Sequence, residues 1–220
     1  MSKVREISFT QELLRKGIHL ISLSIPLLYI FVDKTTALLI LLPLTFLAVL
    51  IDLMSKFRNF VRLYLYKFFR KMLRSHETEK KLILNGASWV LISATLCVII
   101  FPKLLTVVSF TILIISDIMA ALIGRKYGKH PIFVGKSLEG STAFVISALI
   151  VVFIYGIAFS APWTYYVAGI IAAVLGALVE AISPLLKIDD NLSIPIGTGI
   201  VLWILGLLAA SIGVPFLYLI

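Results

Sequence analysis

The chain consists of long apolar stretches separated by short polar segments. About 20 apolar residues, at about 1.5 Å each, allow an α-helix to cross a bilayer. We interpret seven stretches as such spans, at residues 17–32, 35–51, 83–101, 104–123, 139–159, 163–183 and 194–218. Only Asp33 and Lys34 separate the first two, which predicts a tight helical hairpin. We therefore expect an all-α, polytopic integral membrane protein whose residues 1–220 form a single domain.

The stretch at residues 56–74 has a different pattern. Its apolar side chains recur at intervals of three and four residues, and its basic side chains lie off that stripe. This periodicity is typical of an amphipathic helix, and the basic residues favour contact with anionic lipid headgroups. We expect the helix to lie at the membrane interface.

The basic residues give the chain an orientation. Hydrophobic residues make up 60% of the sequence, mean hydropathy is +1.08 and the net charge is +9. Of the 20 lysines and arginines, all but Lys34 and Lys103 fall before residue 17 or in segments 52–82, 124–138 and 184–193. With seven spans these segments share one side, which the positive-inside rule makes cytoplasmic. We expect a cytoplasmic N-terminus, an outside C-terminus and no nucleic-acid partner.

Two features of the sequence limit its processing and redox chemistry. Its one cysteine, Cys97, lies inside a predicted span, so a disulfide within the chain and a thiolate metal site are excluded. The first apolar stretch has no small-residue cleavage site and is followed at once by further spans. We therefore expect no cleavable signal peptide.

Ionisable residues inside the spans are candidates for function, because each costs roughly 2.5–3.5 kcal/mol at a helix centre. Asp117 and Glu180 both lie near the predicted cytoplasmic ends of their spans, beside small residues that let other helices approach. Satisfaction by a neighbouring side chain, or solvation at the helix end, is the structural alternative. In the loop that follows Glu180, Asp189, Asp190 and Asn191 could either cap the last helix or hold a cation.

The start of the first span carries a charged helix face. Glu12, Arg15 and His19 are spaced at i, i+3 and i+7, and Lys16 lies one turn above Glu12. Long basic side chains that reach from a helix end to the membrane surface would explain Arg15 and Lys16. They explain His19 less well, because it lies inside the span.

The loop at residues 124–140 has the composition of a phosphate site. It is not a P-loop, because His130 stands where that motif needs glycine and an apolar helix precedes it instead of a strand. Glycines allow close backbone approach, and basic side chains add positive charge. The residues concerned are Gly124, Arg125, Lys126, Gly128, Lys129, Gly135, Lys136, Ser137 and Gly140. Glu139 begins the next helix, where the dipole favours its carboxylate or a metal could bind it.

Three motifs together resemble the CTP-dependent lipid-alcohol kinases, within the superfamily that also contains the phosphatidate cytidylyltransferases. They are "SDIMAALIGRKYGKHPIFVGKSLEGS", "ELLRKGIHL" and "LVEAISPLLKIDDNLSIP", and they span most of the chain. Cytidylyltransferases of this superfamily end in a signature with His-Gly-Gly and Asp-Arg-x-Asp, which this sequence lacks. The resemblance therefore favours the kinase branch, which includes dolichol kinase, phytol kinase and the fungal-type diacylglycerol kinase.

The resemblance implies transfer of the γ-phosphate of CTP to the hydroxyl of a membrane lipid alcohol, with Mg²⁺. The alcohol would be a polyprenol or dolichol, a phytol-like isoprenoid or diacylglycerol. The implied catalytic residues are Asp117, Arg15, Lys16 and His19. The implied nucleotide-binding residues are Gly124, Lys126, Gly128, Lys129, Lys136, Ser137, Glu139, Gly140 and Asn191. The implied metal ligands are Asp117, Glu180 and Asp190.

Location follows from the same reasoning, and two other functions stay open. We expect the protein in the cell membrane of a prokaryote or the endoplasmic reticulum of a eukaryote, with its site facing the cytoplasm. Cytidylyl transfer to phosphatidate is the alternative reaction. A transporter or a non-catalytic membrane scaffold is the second alternative, although no internal repeat supports a transporter. The sequence leaves the oligomeric state open.

Overall fold

The computed structural model of the chain describes residues 9–57, 84–133 and 135–216. Within them the chain forms helices α1 (Phe9–Ile21), α2 (Ser24–Tyr29), α3 (Lys34–Phe57), α4 (Gly86–Ile100), α5 (Lys103–Tyr127), α6 (Leu138–Ala158), α7 (Trp163–Leu186) and α8 (Asp190–Ser211). Strands β1 (Pro131–Phe133) and β2 (Lys136–Ser137) pair between α5 and α6. The interfacial helix predicted at 56–74 lies outside the described residues beyond position 57.

Five of the described helices are long and apolar enough to cross a membrane: α3, α5, α6, α7 and α8. Helix α4 is apolar but has only 15 residues. The described residues are therefore all-helical apart from the small sheet, which is consistent with an integral membrane protein. The predicted count of seven spans, and the predicted orientation, stay predictions.

The first predicted span, at residues 17–32, is a broken helix and not a continuous one. Helix α1 begins eight residues earlier, at Phe9, and ends at Ile21, and the short α2 follows from Ser24. Proline at position 26 has no N–H to donate to the Ser22 carbonyl, and its ring crowds that oxygen. The N–H of Ile25 donates to the Ser22 carbonyl instead, at 3.0 Å. Hydropathy alone does not reveal such a break.

The short connection predicted at Asp33 and Lys34 is present. Lys34 begins α3, and the Asp33 carboxylate accepts hydrogen bonds from the Thr36 N–H at 3.1 Å and the Thr36 hydroxyl at 2.6 Å. These bonds satisfy donors at a helix start that have no partner within the helix. They also lower the pKa of the exposed Asp33 carboxyl, because they favour its charged form.

Helix α5 lies at the centre of the described bundle. It packs against α6 and α8 most extensively, and also against α1, α2 and α4. Most of its residues are buried, as expected for a helix that is apolar on all sides. In contrast, α3 packs mainly on α4 and leaves Leu39 and Phe46 exposed, as a helix in contact with lipid would.

The helices from α5 to α8 are joined by short connections and therefore alternate in direction. This arrangement gathers the C-terminal ends of α5 and α7 with the N-terminal ends of α6 and α8. Helix α1 brings its charged face to the same end, because its Lys16 reaches Asp117 on α5. The strand pair lies there too, so the candidate residues of the sequence meet at one end of the bundle.

Candidate functional site

A cleft of about 530 Å³ opens where α1, α5, the strand pair, α7 and α8 meet, a volume typical of ligand pockets. Charged side chains from all five elements line it. They are Glu12, Arg15, Lys16, Asp117, Arg125, Lys129, Lys136, Glu180 and Asp190. Five of them are basic and four are acidic, so the charges nearly balance while the basic groups remain in excess.

The deepest charged contact joins α1 to α5. The Lys16 ammonium donates a hydrogen bond to Asp117 Oδ2, and both side chains are almost fully buried. His19 Nε2 lies 3.6 Å from the same oxygen and makes no hydrogen bond with the described residues. A carboxylate within an apolar helix is tolerated when a cation neutralises it. Three residues predicted separately from two motifs, Lys16, His19 and Asp117, therefore form one group.

A second ion pair joins the strand pair to α7. The Lys136 ammonium donates to Glu180 Oε1, and Asp190 at the start of α8 contributes to the same electrostatic group. Burial alone would lower the pKa of Lys136, but the carboxylates of Glu180, Asp190 and Asp117 outweigh burial and raise it. The lysine therefore stays cationic inside the cleft.

A third group lies at the cleft mouth and includes Glu12 and Arg125, to which the resemblance assigned no role. The Arg15 guanidinium donates to Glu12 Oε1 at 2.5 Å, and Arg125 Nη1 lies 3.9 Å from Glu12 Oε2. The i, i+3 spacing of Glu12 and Arg15 was a usable signal for their pairing. Nothing in the local sequence links Arg125 to Glu12, because the two are brought together only when α1 packs on α5. Ser141 also lines the cleft and was not predicted.

Three glycines predicted to cradle phosphates also pack α5 closely against α6. A Cβ atom at Gly140 would lie 2.9 Å from the Ala120 carbonyl oxygen and 3.3 Å from Gly124 Cα. At Gly128 it would lie 2.2 Å from the Gly124 carbonyl oxygen and 2.7 Å from Ser137 Oγ. All three glycines line the cleft as well.

The strand pair and the α6 start are held by local contacts. Ser137 Oγ accepts from the Gly140 N–H at 3.2 Å and so caps α6. His130 Nδ1 contacts Glu139 Oε1 at 2.7 Å, and the His130 N–H donates to Glu139 Oε2 at 3.3 Å. These two contacts tie Glu139 to the residue before β1. Gly135 has a φ of +73°, which favours glycine in the turn.

Some predicted residues lie beside the cleft and not in its wall. The Lys126 ammonium lies 5.1 Å from the centre of the Tyr127 ring. The Asn191 amide donates to Asp189 Oδ1 at 2.7 Å, and the same oxygen accepts from the Asn191 N–H at 3.1 Å. These contacts fit the capping alternative for the 189–191 segment. A nucleotide-binding role for Lys126 and Asn191 stays a prediction.

The predicted metal ligands share the cleft without forming a ready cage. Asp117, Glu180 and Asp190 all line it, but the first two are each bonded to a lysine. In the part of the chain that the structure describes, no three His, Cys, Asp or Glu side chains are grouped closely enough to hold a metal ion. The metal role of these carboxylates stays a prediction.

Comparison with known proteins finds relatives but neither a matching protein-family model nor a matching solved structure. The chain is 28% identical over 144 residues to the CTP-dependent diacylglycerol kinase 1 of Schizosaccharomyces pombe, covering 59% of this chain and 63% of that protein. It is 35% identical over 115 residues to the uncharacterized protein MJ1137 of Methanocaldococcus jannaschii, covering 50% and 54%.

A third relative is similar over nearly its whole length. The chain is 36% identical over 197 residues to the uncharacterized protein RP860 of Rickettsia prowazekii, covering 88% of this chain and 93% of that protein. Sequence identity of this extent shows that the two proteins belong to one family, but it does not show which activity they have. The chain therefore belongs to the same family as the uncharacterized protein RP860.

Proposed function

We propose that the protein is a CTP-dependent kinase that transfers the γ-phosphate of CTP to the hydroxyl of a membrane lipid alcohol. The observation that carries this proposal is the cleft in which Lys16, Asp117, Lys136 and Glu180 meet at one end of apolar helices. A water-soluble nucleotide and the hydroxyl of a membrane lipid can both reach such a place. The similarity to the fission-yeast kinase supports CTP as the donor and phosphotransfer as the reaction.

The basic residues of the cleft are suited to bind a polyphosphate. Phosphoryl transfer depends mainly on positioning and on neutralising charge. Lys16 and Lys136 are each paired with a carboxylate, which an incoming phosphate chain would replace as their partner. Because each lysine keeps its carboxylate partner until the phosphate binds, the empty cleft contains no unpaired buried lysine, which would be costly.

Three of the four cleft carboxylates are candidates to hold Mg²⁺ as a companion of the nucleotide. This ion is usually bound through one or two carboxylates together with substrate phosphates, and a complete protein cage is not needed. One or two of Asp117, Glu180 and Asp190 would therefore be its protein ligands. When bound, it would neutralise part of the charge on the phosphates.

The inner group of Lys16, His19 and Asp117 is suited to the acceptor. The hydroxyl oxygen of the lipid would attack the γ-phosphorus, and the bond from that phosphorus to the oxygen bridging the β-phosphate would break. CDP would leave, and the hydroxyl proton would pass to Asp117 Oδ2 or to His19 Nε2. Both atoms lie within the same buried group, 3.6 Å apart.

The acceptor class follows from the position of this group. Any alcohol with one hydroxyl at the interface and an apolar tail fits, which includes dolichol and other polyprenols, phytol-like isoprenoids and diacylglycerol. The name of the fission-yeast relative favours diacylglycerol among them. We place the cleft on the cytoplasmic side, in the cell membrane of a prokaryote or the endoplasmic reticulum of a eukaryote, beside anionic headgroups.

The experiment is a transfer assay with purified protein in mixed micelles containing Mg²⁺, a panel of lipid alcohols and phosphatidate. CTP is labelled at either its γ- or its α-phosphate. We expect γ-label on an alcohol and at least a hundredfold loss in Asp117→Asn, because the variant keeps the shape but loses the charge that pairs with Lys16. Lys187→Met, at an exposed position directly after α7 and outside the cleft wall, is the matched control and should retain activity.

Two outcomes would contradict the proposal. Transfer of α-label to phosphatidate would make the protein a cytidylyltransferase. No transfer from CTP, ATP or GTP, with intact folded protein, would remove the enzyme hypothesis altogether.

A further inference from the structure

The contact at the cleft mouth has one carboxylate and two guanidinium groups. Glu12 is 3% exposed, and Arg15 from its own helix and Arg125 from α5 both approach its carboxylate. The lysine pairs deeper in the cleft join one acid to one base each. The mouth group therefore places two guanidinium groups, from two different helices, at one carboxylate.

The two arginines are also more open to water than the inner pair. The side chains of Arg15 and Arg125 are 24% and 34% exposed, whereas those of Lys16 and Asp117 are 4% and 5% exposed. The buried Nε of Arg15 has no hydrogen-bond partner among the described residues. Guanidinium groups bind phosphate through two parallel hydrogen bonds, which makes a fixed pair of them suited to a phosphate chain.

We propose that Glu12 is a positioning residue that holds Arg15 and Arg125 at the cleft mouth as a binding site for the phosphate chain of the nucleotide. This inference rests on the proposed function and adds two residues, Glu12 and Arg125, to its site. The phosphate chain of the nucleotide enters from the water side, where Arg15 and Arg125 bind it. Its terminal phosphate extends toward Lys16 in the inner group.

The direction in which phosphate affinity changes when Glu12 is removed distinguishes a positioning role from a purely electrostatic one. Removing an acidic charge from an anion site should tighten binding if only net charge matters. If Glu12 fixes the two arginines, its loss should weaken binding instead, because both long side chains must then be ordered by the ligand itself. The two accounts predict opposite changes.

The test measures binding of inorganic tripolyphosphate to the full chain in detergent by isothermal titration calorimetry, at constant ionic strength. This probe has no base and allows no turnover, so it reports the phosphate site whether or not the transfer assay succeeds. We expect Arg125→Met and Glu12→Gln each to raise the Kd about tenfold. Lys187→Met removes one positive charge from an exposed position directly after α7, at the same end of the bundle but off the cleft wall, and should change the Kd less than twofold.

Two further measurements separate positioning from a general structural effect. Glu12→Asp should recover part of the lost affinity, and the double variant of Glu12→Gln with Arg125→Met should bind little worse than either single variant. In the transfer assay Glu12→Gln should raise KM for CTP with kcat changed less than twofold. If Glu12→Gln does not fold, Arg125→Met and Arg125→Lys can still be compared with the Lys187→Met control.

The inference is overturned if tripolyphosphate does not bind the unmodified protein, or if Arg125→Met and Lys187→Met have equal effects. Tighter binding by Glu12→Gln would also overturn it. Failed lipid phosphorylation with unchanged tripolyphosphate results would instead count against the proposed function alone.

Discussion

At the residue scale, the charge of Lys136 depends on the carboxylates around it. Burial disfavours its cationic form, and Glu180, Asp190 and Asp117 together raise its pKa despite that burial. A lysine with a raised pKa keeps its charge up to a more alkaline pH than usual, and loses it as the pH rises through that value. Phosphate binding that depends on the charge of Lys136 should be lost over the same alkaline pH range.

Replacement of Glu180 by glutamine should therefore move the alkaline limit of phosphate binding to lower pH. The change removes the strongest charge that raises the pKa of Lys136, while burial still lowers it. The expected result is an earlier loss of tripolyphosphate affinity between pH 7 and 10.5, measured by calorimetry and normalised at pH 7. Glu139→Gln is the control, because Glu139 contacts His130 instead of Lys136. Superimposable normalised curves for Glu180→Gln and the unmodified protein would show that Glu180 does not set the charge of Lys136.

At the element scale, the glycine contact between α5 and α6 fixes how closely the two helices approach. The nearest neighbours of a Cβ atom at Gly140 are backbone atoms, which cannot rotate away as a side chain would. The cleft wall is built on this contact, since Gly124 and Gly140 both line it. Helix spacing and site geometry are therefore coupled.

Gly140→Ala should destabilise the protein by about 1–3 kcal/mol, the usual cost of an extra methyl group in a closely packed contact. Gly17→Ala is the matched control, because a Cβ at Gly17 meets nothing within 4 Å on an exposed helix face. That change should be neutral or stabilise the helix by up to about 1 kcal/mol. Thermal unfolding of both variants in one detergent provides the comparison. Equal melting temperatures would contradict the close packing at Gly140.

Several elements could be predicted from the sequence because they depend only on apolar length. The spans predicted at 104–123, 139–159 and 163–183 lie within a few residues of the ends of α5, α6 and α7. The break after Ile21 was missed because it depends on one backbone donor that Pro26 lacks, and this leaves mean hydropathy unchanged. The predicted spans also ended too early where a helix continues into charged residues, as α5 (Lys103–Tyr127) does beyond residue 123.

Most of the charged residues of the cleft could be predicted from the sequence. Which acid forms an ion pair with which base could not. Asp117 and Glu180 stood out because an acid within an apolar stretch is costly. Which lysine would neutralise each of them depends on how α1 and the strand pair pack on the bundle. Arg125 was placed in a basic loop by its sequence neighbours, and only the packing of α1 on α5 brings it to Glu12.

At the scale of the whole molecule, the charged cleft and the connection at Ser160 lie at opposite ends of the bundle. From the distribution of basic residues we expect the cleft end on the cytoplasmic side. The natural chain has one cysteine, Cys97, and it is fully buried. Single cysteines introduced elsewhere can therefore report the orientation.

Lys129→Cys and Ser160→Cys, each in a Cys97→Ser background, should label from opposite sides of the membrane. Both positions are exposed in the structure. In intact cells or sealed right-side-out vesicles, a membrane-impermeant maleimide should modify the Ser160→Cys variant and spare Lys129→Cys until detergent is added. Labelling in the reverse order would invert the proposed orientation, and labelling of both variants before detergent would contradict a two-sided topology.

The β1–β2 pair has a consequence for how the cleft can open. Amides within a helix are satisfied internally, so a helix in lipid can tilt but cannot unwind without exposing polar groups to hydrocarbon. Near the cleft, the described residues 128–133 and 135–137 lie outside the α-helices, and most of their side chains are exposed. Here a broken hydrogen bond can be replaced by one to water. Under the proposed function, a soluble nucleotide would therefore enter the site at the least cost by displacing this strand pair, with the bundle beneath it unchanged.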